Sequence, residues 1–180
     1  SKELERMKSK PGNIHLCLTT DPFMYGYPEV TSLTLRMIEL INSYGISCST
    51  LTKGVMPVDL ADSIRFPEQN SYGISLVSLS EEFRKKWEPG AAPYNERIGA
   101  LRELHDLGCS TLVHIEPYPT PNIIEQDLRE LLDAVDFADE IWFGSWNYNN
   151  LAKQYPGFRE FYDEQSAILS RFLSTRQDSL

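Results

Sequence analysis

Residues 93–115, Pro-Tyr-Asn-Glu-Arg-Ile-Gly-Ala-Leu-Arg-Glu-Leu-His-Asp-Leu-Gly-Cys-Ser-Thr-Leu-Val-His-Ile, change hydrophobic period once, and that change sets the fold class. Ile98, Leu101 and Leu104 recur at helical spacing, Pro93 suits a first helical position and Gly108 a stop. Ser110–Ile115 then reads as a strand. Working outward, the same switch recurs. Strands are expected at Ile14–Leu18, Cys48–Thr52, Tyr72–Val77 and Glu140–Phe143. Between them lie a helix facing inward with Val30, Leu33, Met37, Leu40, Ile41 and Tyr44 and closed by Gly45, a weak turn at Val58–Ile64, and a short helix at Glu81–Trp87. Thr120–Pro121 resembles an N-cap and first-position pair opening a helix with Ile124, Leu128, Leu131, Leu132 and Val135 inward, and Phe158–Phe172 closes the chain. Five strands each followed by helix imply parallel pairing through right-handed crossovers. An eight-fold barrel needs about 250 residues, so the choice is an open doubly wound sheet or part of a smaller barrel. Both collect ligands at the C-terminal ends of their strands.

The composition fits one domain spanning residues 1–180. Seventeen Lys and Arg against 26 Asp and Glu give a net charge of −9, with 41% hydrophobic and 24% charged residues, a globular balance. That acidity counts against a protein built to grip nucleic-acid phosphates or anionic lipid. No apolar run reaches the roughly 18–20 residues of a membrane span, and Ser1–Lys10 lacks the apolar core of a secretory signal. Cys17, Cys48 and Cys109 are odd in number and far apart, which argues against a disulfide framework or a self-contained metal motif. The expectation is a cytoplasmic α/β protein. The absence of Met at position 1 raises the expectation of a fragment.

The strand ends hold the candidate chemistry. Thr19-Thr20-Asp21-Pro22 offers two hydroxyls and a carboxylate, for an amine or ribose or for a turn before Pro22. Lys53, directly after an apolar strand, could pair with a carboxylate or phosphate, form a Schiff base or snorkel at the rim. Ser75 is by itself an ordinary strand hydroxyl. His114 and Glu116 share one face by period two, as an acid–base pair or a structural one, with Tyr118 beyond them. Phe143–Asn149 sets amides, Asn147 among them, beside aromatics at a possible pocket lip. No phosphate-binding glycine loop, nucleophile elbow or His-Glu-x-x-His is present. Lys85-Lys86-Trp87 is the lone basic–aromatic cluster and reads as a solvated helix face.

The ordered set Thr-Thr-Asp-Pro (19–22), Leu-Thr-Lys (51–53), Gly-Ile-Ser (73–75), Trp-Glu-Pro-Gly-Ala-Ala-Pro-x3-Arg-Ile (87–98) and Ile-Glu-Pro (115–117) resembles the radical S-adenosylmethionine (SAM) superfamily. The likeness is to its spore photoproduct lyase and DNA-photolyase-like branch and runs from Ile14 to Pro121. The resemblance implies a partial (β/α)6 TIM-like barrel, here with five parallel strands and the first β/α unit missing. It implies a 4Fe–4S cluster whose Cys-x3-Cys-x2-Cys ligands are expected upstream of Ser1 and not in this chain. It further implies that Thr20 and Asp21 receive the SAM amine, that Lys53 pairs with the SAM carboxylate and that Ser75 lies near the same ligand. His114, Glu116, Tyr118 and Asn147 are then candidates for the substrate pocket, and Glu88 with Arg97 an ion pair clamping the long loop. Catalysis would be reductive SAM cleavage and hydrogen abstraction from an unidentified substrate.

Two departures shape the expectation. Spore photoproduct lyases use a hydrogen-donating cysteine where this chain has Leu18, and Cys17 alternates to the other face. With the acidic charge, this disfavours DNA repair. The cluster loop is also absent, so the chain alone is expected to be inactive. Alternatives are a cluster-less protein that binds SAM, a nucleotide or a partner, and a Schiff-base lyase using Lys53.

Overall fold

The computed structural model describes residues 2–7, 12–16 and 19–177. Its strands are β1 (Asn13–Leu16), β2 (Ser47–Thr52), β3 (Ser71–Ser75), β4 (Ser110–Tyr118) and β5 (Glu140–Ser145). Its helices are α1 (Lys2–Met7), α2 (Pro28–Asn42), α3 (Glu81–Trp87), α4 (Tyr94–Asp106), α5 (Leu128–Ala134), α6 (Asn150–Lys153) and α7 (Phe158–Gln177), with a 3₁₀ turn at Val58–Ala61. The sheet order is β1-β2-β3-β4-β5, and every neighbouring pair is parallel. A doubly wound sheet reverses its order at a switch point. The unbroken order here is that of an arc of a barrel, which settles the choice the sequence left open.

Alternation divides the sheet into two faces. Cys48, Thr50 and Thr52 of β2, Tyr72 and Ile74 of β3, and Val113 and Ile115 of β4 are buried on the face that the helices cover. Ser47, Ser49 and Leu51, and on β4 Leu112, His114 and Glu116, alternate with them and stay more open. Leu101 and Leu104 of α4 and Ile38 of α2 are fully buried, each contributing about 1.5–3 kcal/mol of apolar burial. The polar seam between α2 and β2 is closed by an amide pair. Asn42 and Asn70 exchange Nδ2–H···Oδ1 bonds of 2.9 Å in both directions, and Asn70 Oδ1 also accepts the Cys48 N–H at 2.8 Å.

Several expected details differ. α2 buries Thr34, Ile38 and Ile41, while Leu33, Met37 and Leu40 are exposed, so the helix is turned from the face its leucines suggested. Thr34 can lie inside because its hydroxyl donates to the Pro22 carbonyl at 2.7 Å. Thr120–Pro121 opens a turn rather than a helix. Thr120 Oγ1 donates to Asn122 Oδ1 at 2.7 Å, and α5 starts seven residues later, capped by Asp127, whose carboxylate accepts the Arg129 N–H. Pro93 is the N-cap of α4 rather than its first residue. β3 stops at Ser75, whereas β4 continues through a cis Glu116–Pro117 bond to Tyr118 and β5 reaches Ser145. β1 ends at Leu16, and the expectations for Cys17 and Leu18 fall outside the described residues. Cys48 lies within β2 and Cys109 immediately before β4; burial pushes the Cys48 thiol up to about 11, so it is packed and unreactive.

Candidate functional site

Asp21 stitches the ends of the first two strands together. Its Oδ1 accepts the Phe23 N–H at 2.9 Å and the Thr52 hydroxyl, and its Oδ2 accepts the Lys53 N–H at 2.7 Å. A carboxylate has about four lone-pair positions, so these bonds leave little free capacity. The turn reading and the ligand reading of Asp21 therefore meet in one residue, with the turn taking most of it. Gly54 makes the approach possible: its N–H donates to Thr52 Oγ1 at 2.8 Å, and a Cβ there would overlap the Phe23 carbonyl.

Lys53 is thereby fixed at its backbone, its carbonyl also accepting the Ala92 N–H at 2.8 Å. Its side chain is 42% exposed, and Nζ lies 2.6 Å from Glu88 Oε1, a close ion contact outside hydrogen-bond angles. The other Glu88 oxygen accepts Arg97 Nη2 at 3.1 Å and the Tyr94 hydroxyl at 3.0 Å. Arg97 is fully buried, and its Nε and Nη1 donate to the Ala92 and Ser75 carbonyls, each at 2.9 Å. The expected Glu88–Arg97 clamp is present, with Lys53 as an additional partner. Burial alone would raise the Glu88 pKa; the charges of Lys53 and Arg97, with the hydrogen bond from Tyr94, outweigh it and hold the carboxyl below its ordinary value.

Two clefts open on either side of Lys53. One, of about 430 Å³, is lined by Thr19, Thr20, Asp21, Lys53, Ser75, His114 and Glu116 among others. It gathers the predicted Thr20, Asp21, Lys53 and Ser75 with His114 and Glu116. The other, of about 530 Å³, shares Asp21 and Lys53 but is walled by Met24, Tyr25, Tyr27, Trp87, Glu88 and the 89–91 loop. That aromatic cleft was not anticipated, because its walls come from segments far apart in sequence.

His114 Nε2 lies 3.4 Å from Glu116 Oε2. Burial pushes the imidazole below its ordinary 6.5; Glu116 pulls it up and His15 adds to the fall, so the ring is neutral near pH 7. Gly144 makes room for this pair, since a Cβ there would come within 2.6 Å of Glu116 Oε2. Tyr118 does not line the cleft: it is 1% exposed and packs against Phe143 and Phe161, its carbonyl accepting the Tyr162 hydroxyl at 2.7 Å. Asn147 is exposed in the turn after β5, apart from both clefts. Neither position lines the two clefts around Lys53. Trp142 is half open on the inward face beside His114, a placement that period two along β5 gives but that no motif in the sequence marks.

Residues 1–135 match the sequence model of the Radical SAM superfamily. The chain is 25% identical over 118 residues to an uncharacterized protein, ORF301, of Acidianus two-tailed virus, a match covering 65% of this chain and 38% of that protein. A structure of spore photoproduct lyase complexed with dinucleoside spore photoproduct aligns with a TM-score of 0.55 at 18% identity, over 77% of this chain and 41% of that one. A variant of the lyase with bound AdoMet and the same dinucleoside aligns at 0.59 and 17% identity, over 86% and 48%. The likeness to the lyase is one of fold, and the chain spans less than half the length of each of these proteins.

Proposed function

The chain belongs to the radical SAM superfamily, and from that membership we propose that the strand-end cleft around Lys53 holds the amino-acid end of SAM. The observation that carries this is the sharing of one carboxylate by two cations. Glu88 faces both Lys53 and Arg97, so a surplus positive charge remains on the half-exposed ammonium between the clefts. A ligand carboxylate completes that arrangement by a charge-assisted bond. Asp21 supplies the opposite sign a short way along the same wall, with its last lone pair and the Thr19 and Thr20 hydroxyls open to an amine. A positive and a negative group on one wall suit a zwitterion.

Bound SAM would supply a hydrogen-abstracting deoxyadenosyl radical, and leave methionine, on taking one electron from a donor that the described residues do not hold. The chain's own part is positional. Asp21, Thr52 and Ala92 fix the Lys53 backbone, Arg97 and Tyr94 hold Glu88 still, and Glu88 orients the ammonium. Ser75, His114 and Glu116 line the far side of the cleft, where a substrate would sit within reach. Among the described residues no three His, Cys, Asp or Glu side chains stand close enough to hold a metal ion. The chain's described residues therefore do not fit a 4Fe–4S cluster, and the reading covers the SAM-holding part alone. A Schiff-base reading is less well supported, because the Lys53 ammonium is engaged by Glu88 rather than set alone in an apolar pocket.

The test is equilibrium dialysis of the protein against labelled SAM. Lys53→Ala should weaken binding by about 1.5–3 kcal/mol, the scale of a hydrogen bond to a charged group. Unchanged affinity would take Lys53 out of the site.

A further inference from the structure

The strands themselves present charge of one sign on the inward face of the sheet. None of the five strands contains Lys or Arg. Lys53, just beyond β2, lines the adjoining cleft and faces Glu88. The formal charges that β4 and β5 present are Glu116 and Glu140, both carboxylates with substantial exposure. Between them lies Trp142, 57% exposed although an indole of this size is ordinarily covered. Its Nε1 donates to Glu140 Oε2 at 3.0 Å, and its ring centroid is 6.2 Å from that of His114, its register partner on β4. Glu116 is held on the same face by His114 and by the space over Gly144.

An open aromatic face flanked by carboxylates suits one kind of guest. A cation over an indole is attracted by the ring's quadrupole, and a guanidinium is both flat enough to stack and forked to match a carboxylate with two parallel N–H bonds. A polyanion meets the reverse: two carboxylates and no strand cation to neutralise its phosphates. We propose that this inward face seats a planar organic cation of the guanidinium class, stacked on Trp142 and donating to Glu116, with Glu140 adding to the negative potential. This names a substrate class for the adjoining cleft; it rests on the SAM reading for what is done to the bound molecule, not for the binding itself.

The experiment is a titration of the protein with agmatine, without SAM, followed through the indole N–H resonances. The chain has three tryptophans, and Trp142→Phe assigns the signal of Trp142. That signal should move saturably, and Glu116→Gln should weaken the apparent affinity about tenfold, consistent with loss of a charged partner beside a cation–π contact. The dinucleotide TpT should leave the signal in place. The proposal is overturned if agmatine leaves the Trp142 signal unmoved, if Glu116→Gln titrates like the parent, or if TpT moves it as much as agmatine does. Trp142 is 57% exposed and the Glu116 side chain 45%, so neither substitution opens the core, and thermal unfolding of each variant checks its fold. Because SAM is absent, failure here and failure of the SAM dialysis are separate results.

Discussion

Lys53 Nζ lies 2.6 Å from Glu88 Oε1, while the second oxygen of that carboxylate is committed to the fully buried Arg97. One side chain thus links the end of β2 to the long loop before α4, and it stands between the fold's buried charge and its open one. The two halves of this link respond differently to substitution.

Glu88→Gln should destabilise the protein by about 3–5 kcal/mol, the cost of leaving a buried cation without its partner. Urea unfolding at neutral pH measures it. The pH dependence has a defined sign. The folded pKa of Glu88 lies below the ordinary 4.5, so its contribution is present above that value and is lost as pH falls below 4.5 toward the folded value. In Glu88→Gln the acid limb of the stability curve should be shallower by this one group.

The His114 imidazole should titrate below 6.5, since its burial outweighs the pull of Glu116, with His15 reinforcing the fall. Glu116→Gln removes the raising influence, so the His114 pKa should drop further. The native state binds fewer protons here than the unfolded chain does, so this group's stability is present above 6.5 and declines as pH falls from there. Histidine ring NMR signals followed against pH measure both shifts; a His114 pKa at or above 6.5 would contradict the packing described.

Two glycines should respond in opposite directions. Gly54→Ala sets a Cβ against the Phe23 carbonyl, a backbone atom that cannot turn aside. A loss of about 3 kcal/mol is expected, at the upper end of overpacking. Gly99, in the middle of α4, has nothing within 4 Å of a built Cβ. Gly99→Ala should stabilise by about 0.5–1 kcal/mol through helix propensity and chain entropy. Thermal or urea midpoints of the pair decide it.

The sequence was legible where the pattern is local. Each strand's start and the αβ alternation follow from period alone, and Pro93, Gly45 and Gly108 mark helix ends to within three residues. It misled where polar and apolar residues compete for one face. Leu33, Met37 and Leu40 made the stronger stripe on α2, yet Thr34 is the buried neighbour because a carbonyl 12 residues away satisfies its hydroxyl. The site divides the same way. Thr20, Asp21, Lys53, Ser75, His114 and Glu116 follow from position at strand ends and do share a cleft. Their partners do not follow: that Glu88 serves Lys53 as well as Arg97, or that Gly144 exists for Glu116, depends on contacts 35 and 28 residues apart (88 − 53 and 144 − 116), which no local pattern carries.

Lys53→Met separates stability from binding. Removing the ammonium leaves Glu88 with Arg97 and Tyr94, so its buried charge stays paired. The Lys53 side chain is 42% exposed and its ion pair is screened by water, so the stability cost should be at most about 1 kcal/mol. The methionine keeps the aliphatic stem against the cleft wall. SAM affinity, in contrast, should fall by the full 1.5–3 kcal/mol of a lost charged contact, about 10- to 150-fold. Urea unfolding and SAM dialysis on the same preparation distinguish the cases. A large stability loss with unchanged SAM affinity would make Lys53 a structural partner of Glu88; a small stability loss with a large fall in affinity would make it the ligand's partner, held in place by Glu88.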